Sequence, residues 1–184
     1  MTRDEALKLM ETHIQADNLR KHCLAAEAIM RELAKRLSQD VELWGILGLL
    51  HDLDFEATRE TPAAHGLKTV EMLSGYGFSQ EATNAILRHN AEALKLERET
   101  VLDFALTCSE TITGLIVAAA LVHPDKQILS LNPKSVRKRM KSKDFARNVN
   151  RDHVVLCEKI GIELMDFIEL SIAAMGSISG ELGL

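Results

Sequence analysis

Apolar positions recur three and four residues apart along almost the whole chain. No stretch alternates with the period of two that a half-buried strand needs. The residues between them are mostly good helix formers: Ala, Leu, Glu, Lys, Arg and Met. Cap residues place the boundaries. Thr2 with Glu5 reads as a capping box for a helix to about Thr12. Asp17 or Asn18 opens a second helix to about Leu37, with Leu24, Ala28, Ile29 and Leu33 on one stripe. Asp40 caps a third, Val41 to about Leu53, which is apolar nearly all round and therefore expected at the centre. Thr61-Pro62 opens a fourth to Ser74, Gly75-Tyr76-Gly77 breaks the chain, and Ser79 caps a fifth to about Leu94. Thr100 to Leu121 is a long sixth, ended by His123-Pro124-Asp125. Asn132-Pro133 starts a short basic helix, Asn150 caps another to Ile160, and Glu163 to Ser179 closes the chain. There is no repeat, low-complexity tract or Gly/Ser linker. The pattern predicts an all-α fold, one compact domain over 1–184 with about nine or ten helices.

Length and composition narrow the class. A chain of 184 residues has room for one sizeable core. Its longest apolar stretch, Ile112 to Val122, has 11 residues against the roughly 20 of a membrane span, so a buried helix and no membrane association are expected. The first residues, Met1 to Glu5, carry acids and no apolar segment follows, which reads as no signal peptide. Cys23, Cys108 and Cys157 are odd in number, far apart and form no C-x-x-C pair. Reduced thiols and a cytoplasmic location are the expectation. Nothing in the sequence fixes the oligomeric state.

Seven histidines stand at 13, 22, 51, 65, 89, 123 and 153. His51 follows the apolar run from Leu43 to Leu50 and is joined directly to Asp52. A His-Asp pair at the end of a core helix needs a metal, a buried hydrogen-bond network, or a helix end that reaches solvent. His22 lies beside the apolar stripe of the second helix, His65 early in the fourth and His89 late in the fifth. Glu110 sits in the apolar sixth helix between Leu106 and Gly114 at helical spacing. Five helices thus each present an imidazole or a carboxylate, a donor set that suits Mn, Fe, Zn, Ni or Mg.

The order His, His-Asp, carboxylate resembles the HD superfamily of metal-dependent phosphohydrolases, within it the HDIG-like hydrolases. The resemblance runs from about Asn18 to Ile116. Leu19-Arg20-Lys21-His22-Cys23 resembles the first motif, and Leu49-Leu50-His51-Asp52-Leu53-Asp54 the second. Pro62-Ala63-Ala64-His65-Gly66 and Ile86-Leu87-Arg88-His89-Asn90 resemble the two extra histidines of members that hold two metals. The last motif, normally an Asp before Leu-Thr-Gly, here reads Glu110-Thr111-Ile112-Thr113-Gly114. The Gly-Tyr-Pro signature of cyclic-dinucleotide members is missing, which disfavours that substrate.

The resemblance implies a metal-motif core at about 18–122, with the basic and C-terminal helices at 132–184 outside it. It implies one or two divalent metals (Mn, Fe, Ni, Co or Zn, with Mg within range). His22, His51, Asp52 and Glu110 would hold the first, and His65 and His89 a second bridged by Asp52. A metal lowers the pKa of its bound water toward about 7, so Asp52 sits at the implied catalytic centre. The implied substrate is a small phosphomonoester or phosphodiester, a nucleotide first among them. A di-iron oxygenase and a binding module made degenerate by Glu110 are the alternatives. Asp54 reads either as a partner behind the ligands or a base, or as an exposed loop acid.

The net charge of −5 hides a segregation. Residues 132–151 hold eight bases against Asp144 alone, leaving 14 bases and 26 acids to the rest of the chain. Lys134, Lys138 and Lys141 fall on one helical face, with Arg137 adjacent. That face is expected either to lean over the metal pocket and attract substrate phosphate, or to be a solvated surface. Nucleic acid is disfavoured by the overall charge and by Phe145 being the segment's one aromatic.

Overall fold

The computed structural model describes all residues, 1–184, and contains helices and no strands. Twelve α-helices and three short 3₁₀ turns make up the fold. They are α1 (Arg3–His13), α2 (Asp17–Arg36), α3 (Val41–Leu50), α4 (Phe55–Thr58), α5 (Leu67–Leu73), α6 (Gln80–His89), α7 (Ala91–Leu94), α8 (Val101–Leu121), α9 (Pro133–Met140), α10 (Arg151–Val155), α11 (Leu164–Ser177) and α12 (Ser179–Leu182). One continuous core of 42 buried hydrophobic residues runs through them.

Two helices organise that core. In α3 every residue from Trp44 to Leu50 is buried, as its uniformly apolar sequence predicts. The long α8 receives α2, α3, α6, α9, α10 and α11 around it. By length and composition α8 could cross a membrane, but most of it is buried in this core. Two of its hydroxyls bond back along the helix, Thr107 to the Asp103 carbonyl at 2.8 Å and Thr111 to the Thr107 carbonyl at 2.7 Å, while the buried Ser109 hydroxyl has no partner. All three cysteines are buried and unpaired.

Helices α2 and α3 make the closest crossing. A Cβ added at Gly48 would meet the carbonyl carbon and oxygen of Ala26 and the nitrogen of Glu27, each at 2.9 Å. Only a glycine lets the two backbones approach this far. Charge reinforces the crossing. Buried Glu27 on α2 receives Arg3 from α1 at 2.6 Å and Arg31 at 2.9 Å, and Arg31 reaches Glu42 on α3 at 2.7 Å.

Several boundaries differ from the sequence expectation, for physical reasons. The helix expected over 61–74 is broken. Pro62–Ala64 is a 3₁₀ turn, His65 is extended, and Gly66 takes φ +88°, which a helix cannot contain. The helix expected to Leu94 breaks at Asn90, whose ψ of 37° leaves the helical region. The third helix stops at Leu50, so His51 and Asp52 stand in the turn that follows. The segment from Asn150 to Ile160 divides into α10 and a 3₁₀ turn. Neither Asp17 nor Asn18 caps α2; the two amides just before it, those of Gln15 and Ala16, donate to the Glu56 carboxylate at 2.9 and 2.8 Å.

Gly48→Ala would improve intrinsic helix propensity yet force α2 and α3 apart. We expect a net loss of about 1–3 kcal/mol, read as a lower urea midpoint with an unchanged slope. A midpoint at or above the wild-type value would contradict the close crossing.

Candidate metal centre

Each candidate imidazole is fixed by a bond to its Nδ1. His51, just past the end of α3, donates from Nδ1 to the Gly48 carbonyl at 2.8 Å. His22 on α2 meets the Thr113 hydroxyl at 2.9 Å. That hydroxyl spends its own proton on the Glu110 carbonyl at 2.7 Å, so it accepts from His22. His65 donates from Nδ1 to Asp54 at 2.7 Å. His89, the last residue of α6, donates from Nδ1 to the Ile86 carbonyl. Four committed Nδ1–H groups leave four Nε2 atoms free to carry lone pairs.

Those four Nε2 atoms converge. His22 and His51 face each other at 3.2 Å, and His65 and His89 at 2.9 Å. Between the pairs lies the Asp52 carboxylate. Its Oδ2 is 3.6 Å from His22, and its Oδ1 is 3.5, 3.2 and 3.5 Å from His51, His65 and His89. Two compact donor groups result, His22–His51–Asp52 and Asp52–His65–His89, sharing the one carboxylate. Lone pairs pointed at one another and at a carboxylate repel unless a cation lies among them. The donor set therefore fits divalent ions held by neutral imidazole and carboxylate.

Local electrostatics agree. Burial lowers the His51 pKa to about 3 and lowers that of His22, each against the opposing pull of Asp52, so both stay neutral. Burial would raise the Asp52 pKa, but the surrounding histidines hold it well below the usual carboxylate range. Burial alone would lower His65, yet hydrogen bonds to Asp52 and Asp54, with their charges, raise it to about 9. In the metal-free protein a proton on His65 thus takes the place of a cation.

The two breaks in the expected helices serve this pocket. Asp54 is fully buried; besides His65 it accepts from the Gly66 amide at 2.8 Å and the Thr69 amide at 3.0 Å, capping α5 from a distance. The reading of Asp54 as an exposed loop acid is therefore corrected. Asn90, at the other break, donates to the carbonyls of Pro62 and His65 at 2.8 and 3.1 Å, tying the two turns together. Arg98 donates to the His89 carbonyl at 3.0 Å and to Thr107 at 2.8 Å. The sequence reading passed over Thr113, Asn90 and Arg98 as positioning residues. Asn90 carried a signal, a polar residue next to a candidate ligand, but Arg98 shows none.

The pocket has a volume of about 520 Å³. Its lining includes His22, Asp52, His65, His89 and Glu110, and also His153 from α10, which bonds Glu92 at 2.9 Å. Glu110 is in the pocket but in neither compact donor group. Its carboxyl lies against the Thr111 hydroxyl, whose own proton goes to the Thr107 carbonyl, and burial, with the Asp52 charge, raises its pKa to about 8. Lys134, Lys138 and Lys141 do not line the pocket, which corrects the expectation that their helix leans over it. Helix α9 docks on α11 and α8 by burying Val136, and the three lysines stand exposed on its other side.

The family model of the HD domain matches residues 19–108, a span that contains His22, His51, Asp52, His65 and His89 and ends short of Glu110. This supports the HD superfamily, whose domains bind divalent metals. No curated protein and no solved structure matches the chain.

Two outcomes follow. His65 has a folded pKa raised from 6.5 to about 9, so its contribution to stability is complete below about pH 6.5 and is lost as pH rises through about 9. Chelator-stripped protein should lose Tm across that window, whereas protein loaded with Mn should hold it; parallel curves would contradict the assignment. Thr113→Val should weaken metal binding about 10–100-fold by freeing the His22 ring, measured by competition with a chromogenic chelator. Unchanged affinity would remove Thr113 from the support of the centre.

Proposed function

We propose that the chain is a metal-dependent phosphohydrolase acting on a phosphomonoester or phosphodiester. The observation that carries this reading is the convergence of four Nε2 lone pairs on the shared Asp52 carboxylate. His22 and His51 would hold one divalent ion and His65 and His89 another, with Asp52 common to both. Such ions supply an acidified water and draw charge from phosphoryl oxygens. The extra pair, His65 and His89, favours a two-metal member, and the resemblance implies the HDIG-like hydrolases. By the resemblance, nucleotides head the substrate screen.

The protein's own residues do the positioning. Backbone carbonyls, Thr113 and Asp54 hold the rings with their Nε2 atoms inward, so little reorganisation is needed when a cation enters. Glu110 would complete the first group, as the resemblance implies. To do so its carboxyl must leave Thr111 and give up a proton that its raised pKa keeps near neutrality.

Elemental analysis of protein purified without chelator, followed by a phosphoester screen with Mn, Ni, Co and Mg, tests the reading. One or two transition-metal equivalents and ester hydrolysis are expected, with Asp52→Asn lowering kcat/KM by about a thousandfold or more. Iron content with oxygen uptake and no phosphate release would favour an oxygenase instead. Glu110→Gln should lower the affinity of one metal equivalent about 10–100-fold if Glu110 ligates; unchanged affinity would leave its carboxyl with Thr111.

A further inference from the structure

A second cavity, of about 400 Å³, lies against His22. Its apolar walls are Ala25 on α2, Val117 and Leu121 on α8, and Leu182 and Leu184 at the end of the chain. Asn18 and His22 line both this cavity and the metal pocket. The His22 ring divides the two: its Nε2 faces His51 and Asp52, while Thr113, bonded to its Nδ1, lines the second cavity. The volume falls within the range of about 300–1,000 Å³ common for small-molecule sites.

We propose that this cavity receives the apolar organic group of the phosphate ester whose phosphoryl group lies at the metal centre. The substrate class is then a phosphate ester of an aliphatic alcohol. This rests on the phosphohydrolase reading and narrows it. In the reaction the oxygen of water bonds to phosphorus, the P–O bond to the alcohol breaks, and the departing alkoxide takes up a proton. Inorganic phosphate and the free alcohol remain.

The lining selects against a nucleobase. The lining has no Phe, Tyr or Trp, and its one ring, His22, is held at both nitrogens between Thr113 and the metal pocket, so a base has no stacking platform there. Beyond Asn18 and Thr113, the lining offers one charged side chain, Lys21, which pairs with Asp17 at 3.0 Å. The polar edge of a base would therefore be desolvated with few partners, at a cost its ring area does not recover. Methylene groups carry no such penalty. Leu121 is 54 % exposed although α8 is otherwise largely buried, which leaves apolar surface turned toward whatever fills the space.

Calorimetry on the Mn-loaded protein with methyl, butyl and hexyl phosphate and with adenosine monophosphate tests the assignment. Each buried methylene is worth about fourfold in affinity, so hexyl phosphate should bind at least about tenfold tighter than methyl phosphate, and tighter than the nucleotide. Val117→Asp and Leu121→Asp alter positions that are not fully buried. Each should collapse the hexyl-to-methyl ratio toward one while metal content stays at the wild-type level. Equal binding of methyl and hexyl phosphate by the wild type, or tighter binding of the nucleotide, would overturn the proposal. Chain-length-dependent binding without hydrolysis of any ester would keep the cavity assignment and sink the phosphohydrolase reading, so the two failures are distinct.

Discussion

The approach of α2 to α3 at Gly48 governs the rest of the centre. The crossing brings His22, on one helix, within 3.2 Å of His51, at the end of the other. The same residue supplies the carbonyl that holds His51 by its Nδ1. Glycine is disfavoured inside a helix by about 1 kcal/mol relative to alanine, so its place here reflects close packing and not helix formation. The Glu27–Arg31–Glu42 bridge spans the same crossing and resists sliding of the two helices. A shift of α2 along α3 would move a ring on one side of the pocket and leave the other in place.

The second half of the centre is assembled differently. His65 and His89 sit at breaks between helices; the His89 ring is held by its own helix through the Ile86 carbonyl, whereas the His65 ring needs a tether from elsewhere. Asp54 provides one, and it also caps α5, so one buried carboxylate sets both a helix start and a ring orientation. Asn90, at the other break, binds the carbonyls of Pro62 and His65 beside the first, and Arg98 binds the His89 carbonyl. Such turns cost conformational entropy to order. The bonds offset that cost only when the turns adopt the conformation that aims both Nε2 atoms at Asp52.

The sequence showed the helices whose signals are local. Thr2 with Glu5, Asp40, Ser79, Asn132 and Asn150 all cap where expected, because each cap and its amide lie within three residues. It did not show caps supplied from afar. Glu56 lies about forty positions from the amides of Gln15 and Ala16 that it binds, and Asp54 lies 12 from Gly66. The breaks at Gly66 and Asn90 were hidden for the same reason, since both segments keep helical periodicity and only tertiary bonds to the ring-bearing turns decide against continuation. His22, His51, Asp52, His65 and His89 were legible as candidates from motif order, whereas the Nδ1 partners Thr113 and Asp54 depend on packing that periodicity does not encode.

Charge shows the same division between what is local and what is spatial. A +7 segment in an acidic chain suggests attraction of anions, yet a run of residues says nothing of which way its helix faces. Val136 decides that: burying one valine against α11 and α8 turns Lys134, Lys138 and Lys141 to solvent. On the proposed function, phosphate capture at the pocket would rest with the divalent ions that the histidines and Asp52 would hold, not with the basic helix. Selection of the rest of such an ester would then fall to the cavity beyond His22, whose walls are mostly hydrocarbon and whose one charged side chain, Lys21, pairs with Asp17. A site with its positive charge confined to such ions and its neighbouring wall apolar would favour small esters with apolar leaving groups over polyanions.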